Sequence, residues 1–143
     1  MGCFWSVDGL ANIKMTSKIF FNNSINQLIQ IGANDGKSFD NLSYFIKKNH
    51  TRSLLVEPIK KNFEKLKENY KDYNCISLEN SAISVNDEIT YLYKVNPIYE
   101  NCYENHIPAI PSFEKKHLIK HGVKNNHIIT EKITSISIKD LIK

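Results

Sequence analysis

The sequence predicts an α/β fold built on a mostly parallel sheet. Two observations carry that expectation. Short apolar runs at 27–31, 53–56 and 75–78 alternate with longer amphipathic stretches of helical period. Each run ends in residues suited to a turn or a ligand loop, namely QLIQIGANDG at 27–36, Glu57-Pro58, and Glu79 to Ala82. Alternating strands and helices of this kind imply parallel neighbours joined by right-handed crossovers.

Composition bounds the rest. A chain of 143 residues is the size of one domain and buries roughly 70% of its unfolded surface. An apolar share of 41% and a charged share of 24% are globular values. They exclude a disordered or fibrous chain. The net charge is +4, with lysines spread among glutamates. That reads as solubility, not as a nucleic-acid footprint, so no nucleic-acid partner is expected. No apolar run reaches about 18 residues, and no charged-then-apolar leader opens the chain. Cys3, Cys75 and Cys102 are odd in number and far apart. They read as free thiols in a reducing compartment, and the expectation is a cytoplasmic protein with no membrane partner. Asn22, Asn41 and Asn49 sit in glycosylation-type triplets that read as chance matches in an Asn-rich chain.

Residues 1–24 read as an N-terminal extension ahead of a single domain at 25–143. MGCFWS fits a myristoylation pattern at Gly2 and Ser6, with Cys3 as a second acyl site. The plainer reading, Phe4 and Trp5 packed on the domain edge, is preferred. Ile19, Phe20 and Phe21 read as the start of a covering element. The first strand is placed at 27–31. Ser38 reads as the N-cap of a helix to about residue 49, burying Leu42, Phe45 and Ile46. Lys47 and Lys48 sit where the helix dipole favours cations. A second strand at 53–56 leads through Pro58 into a helix to about residue 71, with Ile59, Phe63, Leu66 and Tyr70 inward. A third strand at 75–78 follows. Strands at 82–85 and 89–95 read as a pair around an Asn86-Asp87 turn. Residues 96–111 hold three of the four prolines and read as a loop. Ser112 is expected to cap a helix over 113–121 that Gly122 stops. A short strand at 131–134 and a helical pattern from Ser137 close the chain.

Ligands of open parallel sheets bind outside the carboxyl ends of the strands. Three segments converge there: Gly32, Asn34, Asp35 and Gly36 after the first strand, Glu57 after the second, and Asn80, Ser81 and Ala82 after the third. Together they suit a nucleoside. Glycines admit the ligand to the backbone, a carboxylate about 20 residues on accepts from ribose hydroxyls, and the third loop meets an adenine edge. The spacing is Gly32-x-x-x-Gly36, not the G-x-G-x-x-G of dinucleotide enzymes. An acidic Asp35 repels a pyrophosphate and attracts an ammonium or sulfonium. S-adenosylmethionine is therefore favoured over NAD. A dinucleotide-binding oxidoreductase domain and a non-catalytic remnant stay open as alternatives.

QIGANDGKSFDNL, LLVEPIKKNFEKLKENY, NSAIS, SFEKKHLIKH and EKITSISIKDLIK, in this order, resemble the amino-terminal part of FkbM-type S-adenosylmethionine-dependent methyltransferases over about residues 27–143. The resemblance implies a Rossmann-like class I methyltransferase fold with three αβα layers. It implies O-methyl transfer to a hydroxyl of a sugar, glycan or natural-product small molecule. By motif position, Gly32, Asn34, Asp35 and Gly36 would line the methionine and ribose side, Glu57 would hold the ribose, and Asn80, Ser81 and Ala82 would lie near adenine. Gln30 departs from the pattern, standing where many methyltransferases carry an acid. The family's fourth strand and its acidic I-D-x-E-G-type motif do not follow Lys143, so the fold is expected to be incomplete at the C-terminus. No catalytic base is assignable, and an open sheet edge offers a route to self-association. Acceptor specificity is expected in 96–111 with Ser112 and Phe113. His117 and His121 have a zinc-compatible spacing near Cys102 and His106, but no third ligand has recognisable spacing and no metal is expected.

Overall fold

The computed structural model describes residues 27–38, 40–85 and 89–142. The myristoylation pattern, Ile19 to Phe21 and the Asn86-Asp87 turn lie outside the described residues. The fold is mixed α/β, with two three-stranded sheets.

The first sheet has the order β1-β2-β3, with β1 at Gln27–Ile31, β2 at Arg52–Val56 and β3 at Ile76–Glu79, all parallel. The crossovers are α1 (Asn41–Asn49) and α2 (Lys60–Tyr70). The register aligns Gln30, Leu55 and Leu78 on one face, and Ile31, Val56 and Glu79 on the other. Leu55 packs with Ala33, Ile46, Leu66 and Tyr70 in one core, which Leu28, Phe63 and Ile76 extend. Both crossovers step the same way along the sheet, so right-handedness puts both helices on this one face. On the other face Ile29 and Ile31 are 47% and 56% exposed. At β1, then, the described residues form two layers, not the three expected.

The caps differ from expectation for a local reason. The Asp35 carboxylate accepts from the Ser38 amide (2.6 Å) and hydroxyl (2.8 Å). Ser38 is thereby held in the loop, and Asp40 caps α1 instead, accepting from Leu42 N at 2.9 Å and Ser43 N at 3.2 Å. Lys47, near the end of α1, lies 4.5 Å above the Tyr70 ring of α2.

In the second sheet, β6 (Ile128–Ser137) lies between β4 (Ala82–Ser84) and β5 (Ile89–Val95). It pairs in parallel with β4 and antiparallel with β5. The expected pairing of 82–85 with 89–95 is not formed. At ten residues β6 is far longer than the expected 131–134, and it offers a hydrogen-bonding edge to each neighbour. Lys94 and Glu131 form a half-buried ion pair across β5 and β6.

Residues 96–111 are better ordered than a loop reading suggests. They form two 3-10 turns, Pro97–Cys102 and Ile107–Ala109. Ser112 bridges back to Tyr93, and its Oγ accepts from Glu114 N at 3.1 Å. The bridge delays α3 to Lys115–Lys120, with Leu118 fully buried against Val95, Ile107 and Val123. Ser137 caps the last helix, α4 (Ile138–Leu141), as expected. Among the described residues no helix is long and apolar enough to cross a membrane.

Gly36 is the tightest backbone position. Its φ is +69°, and an added Cβ would overlap the Tyr70 ring and Leu66 side chain. Gly36→Ala combines left-handed strain with overpacking. It is expected to lower the unfolding free energy by about 2–4 kcal/mol in urea titration.

Candidate functional site

The carboxyl ends of β1 and β2 open into a cleft of about 420 Å³. One wall carries Gly32, Asn34, Glu57, Asn62 and Ser81; the other carries Ala109, Ile110, Pro111, Phe113 and His117. Volume and mixed lining suit a small organic ligand.

The first wall is built from the backbone. The amides of Gly32 and Ala33 both donate to Val56 O, at 2.9 and 3.0 Å. That folds the loop over the end of β2, with Gly32 at φ +76° and Asn34 at φ +52°. Asn34 N is thereby aimed at Glu57 and donates to Oε2 at 2.9 Å, while Ile59 N donates to Oε1 at 3.0 Å. One carboxylate thus ties the glycine loop to the approach to α2. Asn80 completes the wall from behind. Its Nδ2 donates to Glu57 O at 2.7 Å, and its own carbonyl accepts from Thr134 Oγ1 of β6 at 3.0 Å. Ser81 is 3% exposed, and its Oγ has no hydrogen-bond partner among the described residues.

The three predicted segments do meet. Gly32, Asn34, Glu57, Ser81 and Ala82 line the cleft. Asp35, Gly36 and Asn80 stand behind it. The Asp35 oxygens are taken up by Lys37 N, Ser38 N and the Ser38 hydroxyl, so its side chain braces the loop. Gly36 serves the packing of α2. Gln30 shares the helix-side face with Leu55, and its Oε1 is buried without a partner. Asn62 went unrecognised in the sequence. Its signal was a polar residue in the first turn of the helix that follows the acid. Phe113 lay in the stretch expected to hold acceptor specificity. His117 was weighed as a metal ligand. Its ring lies 4.7 Å from that of His121, but no group of three ligating side chains exists among the described residues.

Electrostatics separate the two acids. Burial pushes the Glu57 carboxyl above its usual value, and the charge of Glu131 adds to this. The bonds from Ile59 N, Asn34 N and the Asn62 side chain only partly offset it. For Asp35, burial also raises, but the bonds from Ser38 and Lys37 outweigh it and hold the carboxyl below its usual value.

The far wall has its own anchor. The His127 imidazole is buried and stacks on Tyr99 with centroids 3.8 Å apart. The Tyr103 hydroxyl accepts from Lys124 N at 3.0 Å and bonds His127 Nδ1 at 2.7 Å.

No family model matches this chain, and no curated protein or solved structure matches it.

Two outcomes follow from this geometry. A raised folded-state value means that native Glu57 holds its proton where the unfolded chain has lost it. Its contribution is full below about pH 4.5 and fades as pH rises through the folded value. Glu57→Gln is expected to be less stable than wild type by about 1–3 kcal/mol, because an amide NH₂ then faces a backbone N–H. The gap is expected to narrow from pH 4.5 upward in urea titrations. Asp35 acts in a separate window below pH 3.8, with the opposite sign. Tyr103→Phe is expected to cost about 1–2 kcal/mol and to speed amide exchange at Lys124, measured by hydrogen-exchange NMR.

Proposed function

We propose that the cleft holds S-adenosylmethionine and that the chain supplies the cofactor-binding wall of a methyltransferase acting on a hydroxyl of a sugar or natural-product acceptor. One observation carries the reading: Glu57. It is a buried carboxylate at the end of the central parallel strand, lining a cleft beside a left-handed glycine loop. Its oxygens accept the Asn34 and Ile59 N–H groups and the Asn62 side chain, which leaves a lone pair for a ribose hydroxyl. The unpartnered Ser81 hydroxyl is the kind of buried polar atom that a bound base edge satisfies. Gly32 and Asn34 leave room for the ribose and methionine side.

When bound, S-adenosylmethionine supplies an electrophilic methyl group on a sulfonium centre. The residues of this chain would bind and orient it. Glu57 and Asn62 would hold the ribose, Ser81 and Ala82 would meet the base, and Leu92, Ile110 and Pro111 would keep water from the site. The dinucleotide alternative is less well supported. A pyrophosphate needs free amides at a helix start. At α1 the amides of Leu42 and Ser43 are already taken by Asp40, and the loop before it carries the charged Asp35.

Isothermal calorimetry with S-adenosylhomocysteine tests the reading. The expected result is saturable one-to-one binding, weakened about tenfold or more by Glu57→Ala. NADH fluorescence is expected to stay unchanged on mixing. Absence of heat from folded wild type, or equal binding by folded Glu57→Ala, overturns the reading.

A further inference from the structure

The lysines of this chain are not evenly placed. Between residues 105 and 130 the only acid is Glu114, against Lys115, Lys116, Lys120 and Lys124. This stretch carries most of the chain's +4 net charge. It is also the stretch that builds the far wall of the cleft, through Ala109, Ile110, Pro111, Phe113 and His117. Elsewhere Lys61, Lys67, Lys71 and Lys94 pair with Glu100, Glu64, Glu68 and Glu131, while the other described lysines are spread along the chain. The four lysines here form no ion pair among the described residues. Lys116 and Lys120 are exposed, and Lys120 lies one turn on from His117 along the same side of α3. Phe113 is half exposed at the start of this segment while lining the cleft.

Unpaired lysines on the helix that carries the cleft-lining His117 select for charge. The first wall contributes the opposite character through the Glu57 carboxyl. A phenyl ring is a flat apolar surface suited to the face of a sugar ring. We propose that the far wall is the acceptor subsite and that the acceptor is an anionic sugar, a sugar acid or a sugar phosphate. Phe113 packs on its ring, and His117 with the adjoining Lys116 and Lys120 takes its negative charge. This deepens the methyl-transfer reading and rests on it for the word acceptor; the binding site itself is tested separately. A nucleic-acid track needs a long basic stripe with several stacking platforms. Here one phenyl ring and one imidazole line a single cleft.

The experiment is a ¹H–¹⁵N NMR titration of the full chain saturated with S-adenosylhomocysteine. The probes are glucuronate, glucose 6-phosphate, glucose, inorganic phosphate and a short oligouridylate. Glucuronate and glucose 6-phosphate are expected to shift the amides of Phe113 and His117 and to bind about fivefold or more tighter than glucose. In the exposed double variant Lys116→Gln/Lys120→Gln that preference is expected to vanish, with the shifts of Gly32 and Asn34 by S-adenosylhomocysteine unchanged. Phe113→Ala is expected to weaken both anionic sugars without affecting inorganic phosphate. The proposal is overturned by equal binding of glucose and glucuronate, or by no shift at Phe113 and His117 with either anionic sugar. It is equally overturned if inorganic phosphate matches glucose 6-phosphate, or if oligouridylate binds tighter than both. Loss of the Gly32 and Asn34 shifts alone would instead tell against the cofactor reading, and the sugar comparison then stands on the chain without it.

Discussion

The Glu57 carboxylate is the tie on which the first wall depends. Its two oxygens hold Asn34 N in one loop and Ile59 N in the next. Without that tie the amides of two different crossover loops would face each other across a gap with nothing to accept them. The arrangement is costly, because a buried carboxylate resists ionisation. The cost is offset by three donors placed by the backbone and by α2. A group held like this is stiff, and stiffness at the mouth of a cleft favours recognition over adaptation.

Much of the first half of the chain was legible because it obeys local rules. The alternation of apolar runs with helical stretches placed β1, β2 and β3 to within a residue or two. Their loops met as expected because parallel strands put their carboxyl ends on one side. What the residues did not reveal was how the loop would use its own polar atoms. Asp35 reads in one dimension as a ligand group. In the fold the nearest donors are the Lys37 and Ser38 amides, and short-range bonds win over a distant partner. The same competition moved the α1 cap from Ser38 to Asp40.

The second half was harder for a different reason. Strand pairing between segments more than 30 residues apart leaves no periodic mark in either segment. β4 and β5 are neighbours in sequence, and a hairpin was the natural expectation. β6 displaced that pairing because it is long enough to serve both strands, and its length was hidden by polar residues such as Thr130, Lys132 and Thr134 along it. The basic stretch around α3 was masked in turn by averaging. A net charge taken over the whole chain cannot show that residues 105–130 hold most of it.

Between the two sheets runs the bond from Thr134 Oγ1 of β6 to Asn80 O. The glycine loop and Glu57 belong to the β1-β2-β3 sheet, while the turns and α3 of the opposite side are fastened to β5 and β6 through Tyr93, Ser112 and His127. The cleft is therefore lined from two hydrogen-bonded sheets. Ile59, which precedes α2, packs there with Ala82, Leu92 and Ile133 of the second sheet. A molecule seated in this seam would bridge groups fastened to both sheets, Glu57 on one side and Phe113 and His117 on the other, and so tie the two sheets to each other.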